Sequence, residues 1–183
     1  MGIPTVKWKE YDQLSVIEDT GLWTVRVAIE KGDDLNLPRV VGVNSNEAMR
    51  FARSIKEAYK SSALVIYYPY FIAIKSGTLK ITTTGYVIEA VEKDLWNLVS
   101  ENKCDVTIIN NNNETIIVGN PDLVKQQEIE ELRKAGKIVR YKFRDLLFEG
   151  KEMLLEWSYA IETSKDGNPS GEQYLVFYEL RTI

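Results

Sequence analysis

Asp122, Glu149 and Lys151 are the residues whose types and order come nearest to a reaction centre. Two carboxylates can hold one Mg²⁺ between them, and a lysine beside them can orient an attacking water and stabilise the charge that develops. The same residues have plainer roles. Asn120-Pro121-Asp122 offers a capping side chain, a proline for the first helical position and an acid for the first turn. Glu149-Gly150-Lys151 reads as a turn. To share an ion the two carboxylates need oxygens within about 4 Å of each other. A helix of about fifteen residues from Asp122 and a returning strand from Ile138 are expected to carry Glu149 past Asp122 instead. No catalytic residue, metal ligand or cofactor is assigned.

In order alone this set resembles the PD-(D/E)xK class of metal-dependent nucleases. That resemblance implies Mg²⁺ and nuclease chemistry for Asp122, Glu149 and Lys151. The chain departs from the class in placing Asp122 at a helix start rather than a strand end, so membership is not assigned. Other chemistries are removed by composition. The chain has no histidine, which excludes Ser-His-Asp and Cys-His nucleophile systems and His-ligated metals. Its one cysteine, Cys104, cannot close an internal disulfide and is read as inert, since no histidine exists to activate it. Neither glycine-rich phosphate signature occurs. Asp33, Asp34 and Asn36 lack the spacing of a calcium loop and read as a turn.

A second constellation is basic. Arg140, Lys142 and Arg144 alternate with Val139, Tyr141 and Phe143, a period of two that predicts a strand with one apolar and one cationic face. Arg133, Lys134 and Lys137 precede it. Such a face would suit phosphate, nucleic acid or an acidic partner. Equally, it would suit cross-strand pairing with Glu152, Glu156 or Glu162. The formal net charge of −4 argues against a general nucleic-acid binder. Tyr67, Tyr68, Tyr70, Trp157, Tyr159, Tyr174, Phe177 and Tyr178 fall on expected strands and read as core and sheet packing.

The elements that must position these residues can be read along the chain. Trp23, Val25, Val27 and Ile29 alternate with Thr24, Arg26 and Ala28, a half-buried strand, and Arg39–Val43 is a second. Asn44 with Glu47 three residues on predicts a capped helix over 45–60, with Ala48, Phe51, Ala52, Ile55 and Tyr59 on its buried face. A strand from Ala63 to Lys75, disturbed at Pro69, should turn at Ser76-Gly77 into a strand over 78–87. A helix over 90–102 follows, then a hairpin of 106–109 and 115–118 around the asparagines 110–113. The second capped helix should stop at Gly136, and strands over 138–148, 153–162 and 174–180 complete the chain.

These elements predict an α+β fold of mostly antiparallel sheet with about three packed helices, in a single compact unit spanning 1–183. The order β-β-α-β-β occurs twice, so the layout admits an internal duplication with halves 22–102 and 104–183. The first ten residues hold no apolar run of a signal peptide, and no window reaches the roughly 18 apolar residues of a membrane span. With a lone cysteine, the expected location is cytoplasmic. The reading that remains is a non-catalytic binding or accessory protein, acting through a surface for an unknown protein or small molecule.

Overall fold

The computed structural model describes residues 2–12, 14–29, 37–60, 63–95, 98, 103–111 and 114–183. The expected turn at Asp33, Asp34 and Asn36 lies outside them. The described residues form an α+β fold of two antiparallel sheets and three helices. None of these helices is long and apolar enough to cross a membrane. The chain divides into two compact units: Met1–Thr5, Ala73–Ala160 and Tyr174–Ile183 make one, and Val6–Ile72 with Ile161–Gln173 makes the other.

The second of these holds a four-stranded sheet in the order β1-β4-β2-β3, where β1 is Lys9–Glu10, β2 Trp23–Ala28, β3 Arg39–Val43 and β4 Leu64–Pro69. Alternation puts Val25 and Val27 at zero and 1% exposure, and α1 (Ser45–Tyr59) covers them with Ala48, Ala52 and Ile55. The Asn44 carboxamide accepts the Glu47 N–H at 3.0 Å, the expected cap. Phe51 is half-buried at the margin of this cluster rather than at its centre.

The other unit is built on a six-stranded sheet ordered β10-β9-β5-β6-β7-β8. Here β5 is Phe71–Ile81, β6 Gly85–Glu92, β7 Val106–Asn111, β8 Glu114–Gly119, β9 Met153–Thr163 and β10 Pro169–Thr182. One face of the sheet is covered by α2 (Gln126–Lys142) and the short α3 (Arg144–Phe148). Leu79, Ile81, Ile88, Val106, Ile108, Leu155 and Trp157 of the sheet pack with Leu132, Ala135, Val139 and Leu147 of the helices.

Several expected elements are corrected. The expected strand over 63–75 breaks after Pro69, which has no N–H to continue a ladder, and β5 begins afresh at Phe71. Gly77 does not turn the chain. It lies inside β5, where a Cβ would sit 2.0 Å from the Glu89 carbonyl and 2.6 Å from Trp157, so glycine is there for close approach. The turn comes later, closed by the Thr82 N–H on the Gly85 carbonyl at 3.1 Å. Ala90, Val91 and Glu92 belong to β6 rather than to a helix, because Ala90 and Val91 are buried in ladder positions; residues 96, 97 and 99–102 of that expected helix lie outside the described residues.

The largest correction falls on 138–148. This segment is helical, and Gly136 is no stop: α2 runs through it to Lys142. The inward stripe of Ile129, Leu132, Ala135, Gly136 and Val139 has helical spacing, and burial of that stripe outweighs the local alternation of Val139 to Arg144. Asn120 does not cap α2 either. Its side chain accepts the Asp122 N–H at 3.1 Å in a turn, and the helix begins at Gln126.

The repeated β-β-α-β-β order does not extend to pairing. In the first half β4 lies beside β2, antiparallel. In the second half β9 lies between β5 and β10, away from β7 and β8. The two compact units also cut across the 22–102 and 104–183 boundaries.

Candidate functional site

The α2 helix presents two opposite faces, and each gathers charged residues for a different reason. On its inner face, at the N-terminal end, Glu128 is buried against Lys75 of β5. The Lys75 ammonium lies 2.9 and 3.1 Å from the two Glu128 oxygens and donates to the Leu123 carbonyl at 2.7 Å. Glu128 also accepts the Lys125 N–H at 2.7 Å, which satisfies one of the orphan donors of the helix start. The Tyr159 ring lies 5.9 Å from the ammonium, and its hydroxyl donates to Glu131 at 2.7 Å. Burial, with the neighbouring Glu131 and Glu128, raises the ionisation of Tyr159 well above the usual phenol range.

On the opposite face of the sheet Ser76 donates to the Lys93 carbonyl at 2.6 Å and shares a 2.8 Å hydrogen bond with Ser158. The Lys75–Glu128 and Tyr159–Glu131 contacts clamp the start of α2 to β5 and β9 and fix which turn of the helix meets which strand. A lysine whose donors are taken by a carboxylate and a carbonyl is poorly placed for nucleophilic work.

On the outer face, Lys134, Lys137, Ile138 and Tyr141 recur at i, i+3, i+4 and i+7, opposite the buried stripe. Tyr141 is 78% exposed and Phe148 of α3 is 82% exposed. Lys142 stands 5.7 Å from the Phe143 ring, and the Arg144 guanidinium stands 6.0 Å from the Tyr141 ring while its Nε lies 3.5 Å from Asp145. Arg144 is thus the cation set against the exposed Tyr141 ring, Lys134 and Lys137 share the Tyr141 side of α2, and the exposed carboxylates Asp145 and Glu149 lie on and just after α3.

The basic residues read from sequence are therefore not a strand face. Arg140 turns inward and donates to the Gly85 carbonyl at 2.6 Å, anchoring the end of α2 to the start of β6. Lys142 and Arg144 stay exposed. Of the carboxylates considered as partners for this strand, Glu152 pairs with Lys80 at 3.3 Å and Glu156 with Arg181 at 3.7 Å.

Asp122, Glu149 and Lys151 are not brought together as a set. Asp122 is exposed in the turn before α2, whereas Glu149 and Lys151 follow α3 beyond its other end and pair with each other at 3.1 Å. The 17 residues of α2 alone span about 25 Å. The separation thus comes from a long helix, not from the returning strand that the sequence suggested. Among the described residues no group of three or more Cys, Asp or Glu side chains is placed to hold a metal ion.

Cys104 is exposed, its Sγ 3.2 Å from the Val106 carbonyl, and the neighbouring Lys103 pairs with Asp105 at 3.4 Å. Of the aromatics, Tyr67, Tyr68, Trp157, Tyr159 and Phe177 are buried and Tyr70, Tyr174 and Tyr178 are half-buried. Sequence reasoning passed over Tyr141 and Phe148 as surface groups and Lys75 and Glu128 as a buried pair. The chain matches no family model, and no curated protein shows significant sequence similarity to it.

Proposed function

We propose that this protein is a non-catalytic binding protein that docks an acidic protein segment carrying apolar side chains on the outer face of α2 and on α3. The observation that carries this reading is the exposure of Tyr141 and Phe148, with the exposed Lys134 and Lys137 on the Tyr141 side of α2 and the Arg144 guanidinium 6.0 Å from the Tyr141 ring, in a chain whose net charge is −4. Exposed aromatic side chains with cations on the same surface are the anchors such a partner requires: the aromatic rings bury apolar area, and the charges select acidic residues and speed encounter. Lysines near a helix C-terminus also complement the helix dipole, but that role leaves Tyr141 and Phe148 unexplained. A reducing compartment such as the cytoplasm suits the exposed Cys104 thiol.

Selection from a displayed peptide library tests the proposal. The expected peptides combine Asp or Glu with Leu, Phe or Trp. Their affinity should fall at least tenfold for Tyr141→Ala/Phe148→Ala, a variant that leaves the circular dichroism spectrum unchanged. Selected peptides without acidic character, or binding indifferent to both substitutions, would overturn it. So would binding of single-stranded nucleic acid at low salt that is lost in Lys137→Glu/Lys142→Glu, since that outcome assigns the same face to phosphate.

A further inference from the structure

The outermost strand of the six-stranded sheet, β8, has the sequence Glu-Thr-Ile-Ile-Val-Gly, and every residue of it is exposed. Ile116 is 47% exposed, Ile117 45% and Val118 59%. Natural edges are usually blunted by lysine, proline, a bulge or a covering element. β8 has no Lys or Pro, is in unbroken register with β7 from Val106↔Gly119 to Asn111↔Glu114, and has no strand on its outer side among the described residues.

The direction of its backbone groups follows from the ladder. Thr82 and Gly85 form a hydrogen-bonded closing pair. Bonded and non-bonded pairs alternate from there through the registers of β5, β6, β7 and β8. The alternation points the N–H and C=O groups of Glu114, Ile116 and Val118 at β7. It points those of Thr115, Ile117 and Gly119 outward, with nothing of this sheet to receive them.

We propose that β8 pairs with β8 of a second copy of this chain, antiparallel, about a two-fold axis at Ile117, joining two six-stranded sheets into one. The register is fixed by the outward groups. Ile117 meets Ile117 of the second copy and exchanges both backbone hydrogen bonds with it, and Thr115 meets Gly119. On the sheet face away from α2, Ile116 then meets Val118, so aliphatic side chains oppose one another on both faces. Charge agrees with this register, because Glu114 is placed opposite Asn120 and not opposite its own copy. A two-fold contact of this kind closes on itself and leaves no further edge at β8. The six-residue strand is about 20 Å long, so the contact is smaller than the roughly 1,600 Å² of a standard interface, and a micromolar dimer is expected.

Sedimentation velocity from about 5 to 500 µM, a range set by that micromolar expectation, tests the pairing. The mass should rise from 21.0 kDa toward twice that value. Ile117→Pro deletes an N–H that points away from β7, so the fold should persist while dimerisation weakens at least tenfold. Ile117→Lys should act alike, by setting two ammonium groups against each other at the axis. In a Cys104→Ser background, Ile117→Cys should oxidise to a linked dimer, because Cα atoms in a bonded antiparallel pair lie about 5.5 Å apart, within disulfide range. Glu114→Cys, far from its own copy in this register, should not link. A monomer throughout the concentration range, a dimer indifferent to both Ile117 substitutions, growth past the dimer without a plateau, or linking in the Glu114→Cys variant but not in the Ile117→Cys variant would each overturn the proposal.

Discussion

Replacing Gly136 by alanine should stabilise this protein. Glycine inside a helix costs about 1 kcal/mol relative to alanine, because the unfolded chain loses more freedom on folding. Whether the native structure returns that gain depends on what a Cβ would meet. At Gly136 the nearest atoms are Leu79 Cδ2 at 3.7 Å, Ile81 Cδ1 at 3.8 Å and Ile81 Cγ1 at 3.9 Å. Those are ordinary van der Waals separations, so the methyl group enters contact without moving β5. Gly136 has helical backbone and is not among the residues with positive φ. The expected change is a gain of about 0.5–1 kcal/mol, which for a chain of this size is roughly 2–4 °C per kcal/mol in Tm. Urea unfolding followed by tryptophan fluorescence should show a higher midpoint with an unchanged slope. A loss of stability would refute the reasoning, since it would mean that α2 needs glycine to approach β5.

At Gly77 the same substitution should have the opposite sign. A Cβ there meets backbone at 2.0 Å, and Gly77→Ala should cost about 3 kcal/mol, the upper end of overpacking, in the same urea assay. Glu128→Ala leaves Lys75 buried without its carboxylate and should cost about 3–5 kcal/mol, whereas Lys75→Met/Glu128→Leu should cost much less than that; equal losses would show that the pair is not coupled. Tyr159 binds its proton more tightly when folded than when unfolded, so its contribution is present below the ordinary phenol pKa near 10 and is lost as pH rises above it. Stability measured across that window should therefore fall more steeply for the wild type than for Tyr159→Phe.

The sequence already contained the fold class, because the strongest periodicities are those that burial enforces. The alternation of Trp23 to Val27 and the Asn44 cap both describe local geometry that the tertiary structure keeps. Errors arose where two periods overlapped. Val139 to Arg144 alternates like a strand, yet Leu132, Ala135, Gly136, Val139, Phe143 and Leu147 continue one helical stripe through the same residues. A glycine at 136 reads locally as a helix stop, and only its burial beside Leu79 and Ile81, far away in sequence, shows that the helix runs on through it. Local propensity was the weaker term, and the stripe decides the helix.

The charged residues divide along the same line. Lys75 lies in phase with Gly77, Leu79 and Ile81 on β5, and Glu128 lies on the inward side of α2 beside Ile129 and Leu132. A charge in phase with its element's apolar positions must be buried, and a buried charge needs a partner of opposite sign; each half of that signal was readable, while the pairing across 53 residues was not. Tyr141 and Phe148 carry the reverse signal once α2 is known to be a helix. Tyr141 falls out of phase with the buried stripe of α2 and Phe148 is exposed at the end of α3, so no packing seen in this unit accounts for their aromatic character. The exposure of β8 needed one thing more, the order of strands in the sheet, which pairs β7 with β6 and leaves Ile116, Ile117 and Val118 at the margin. Alternation within a strand tells which side chains share a face, but only long-range pairing decides whether a neighbour exists. The two surfaces proposed for binding are therefore the places where the helical stripe and the sheet order leave apolar groups without a role in the core of their own unit.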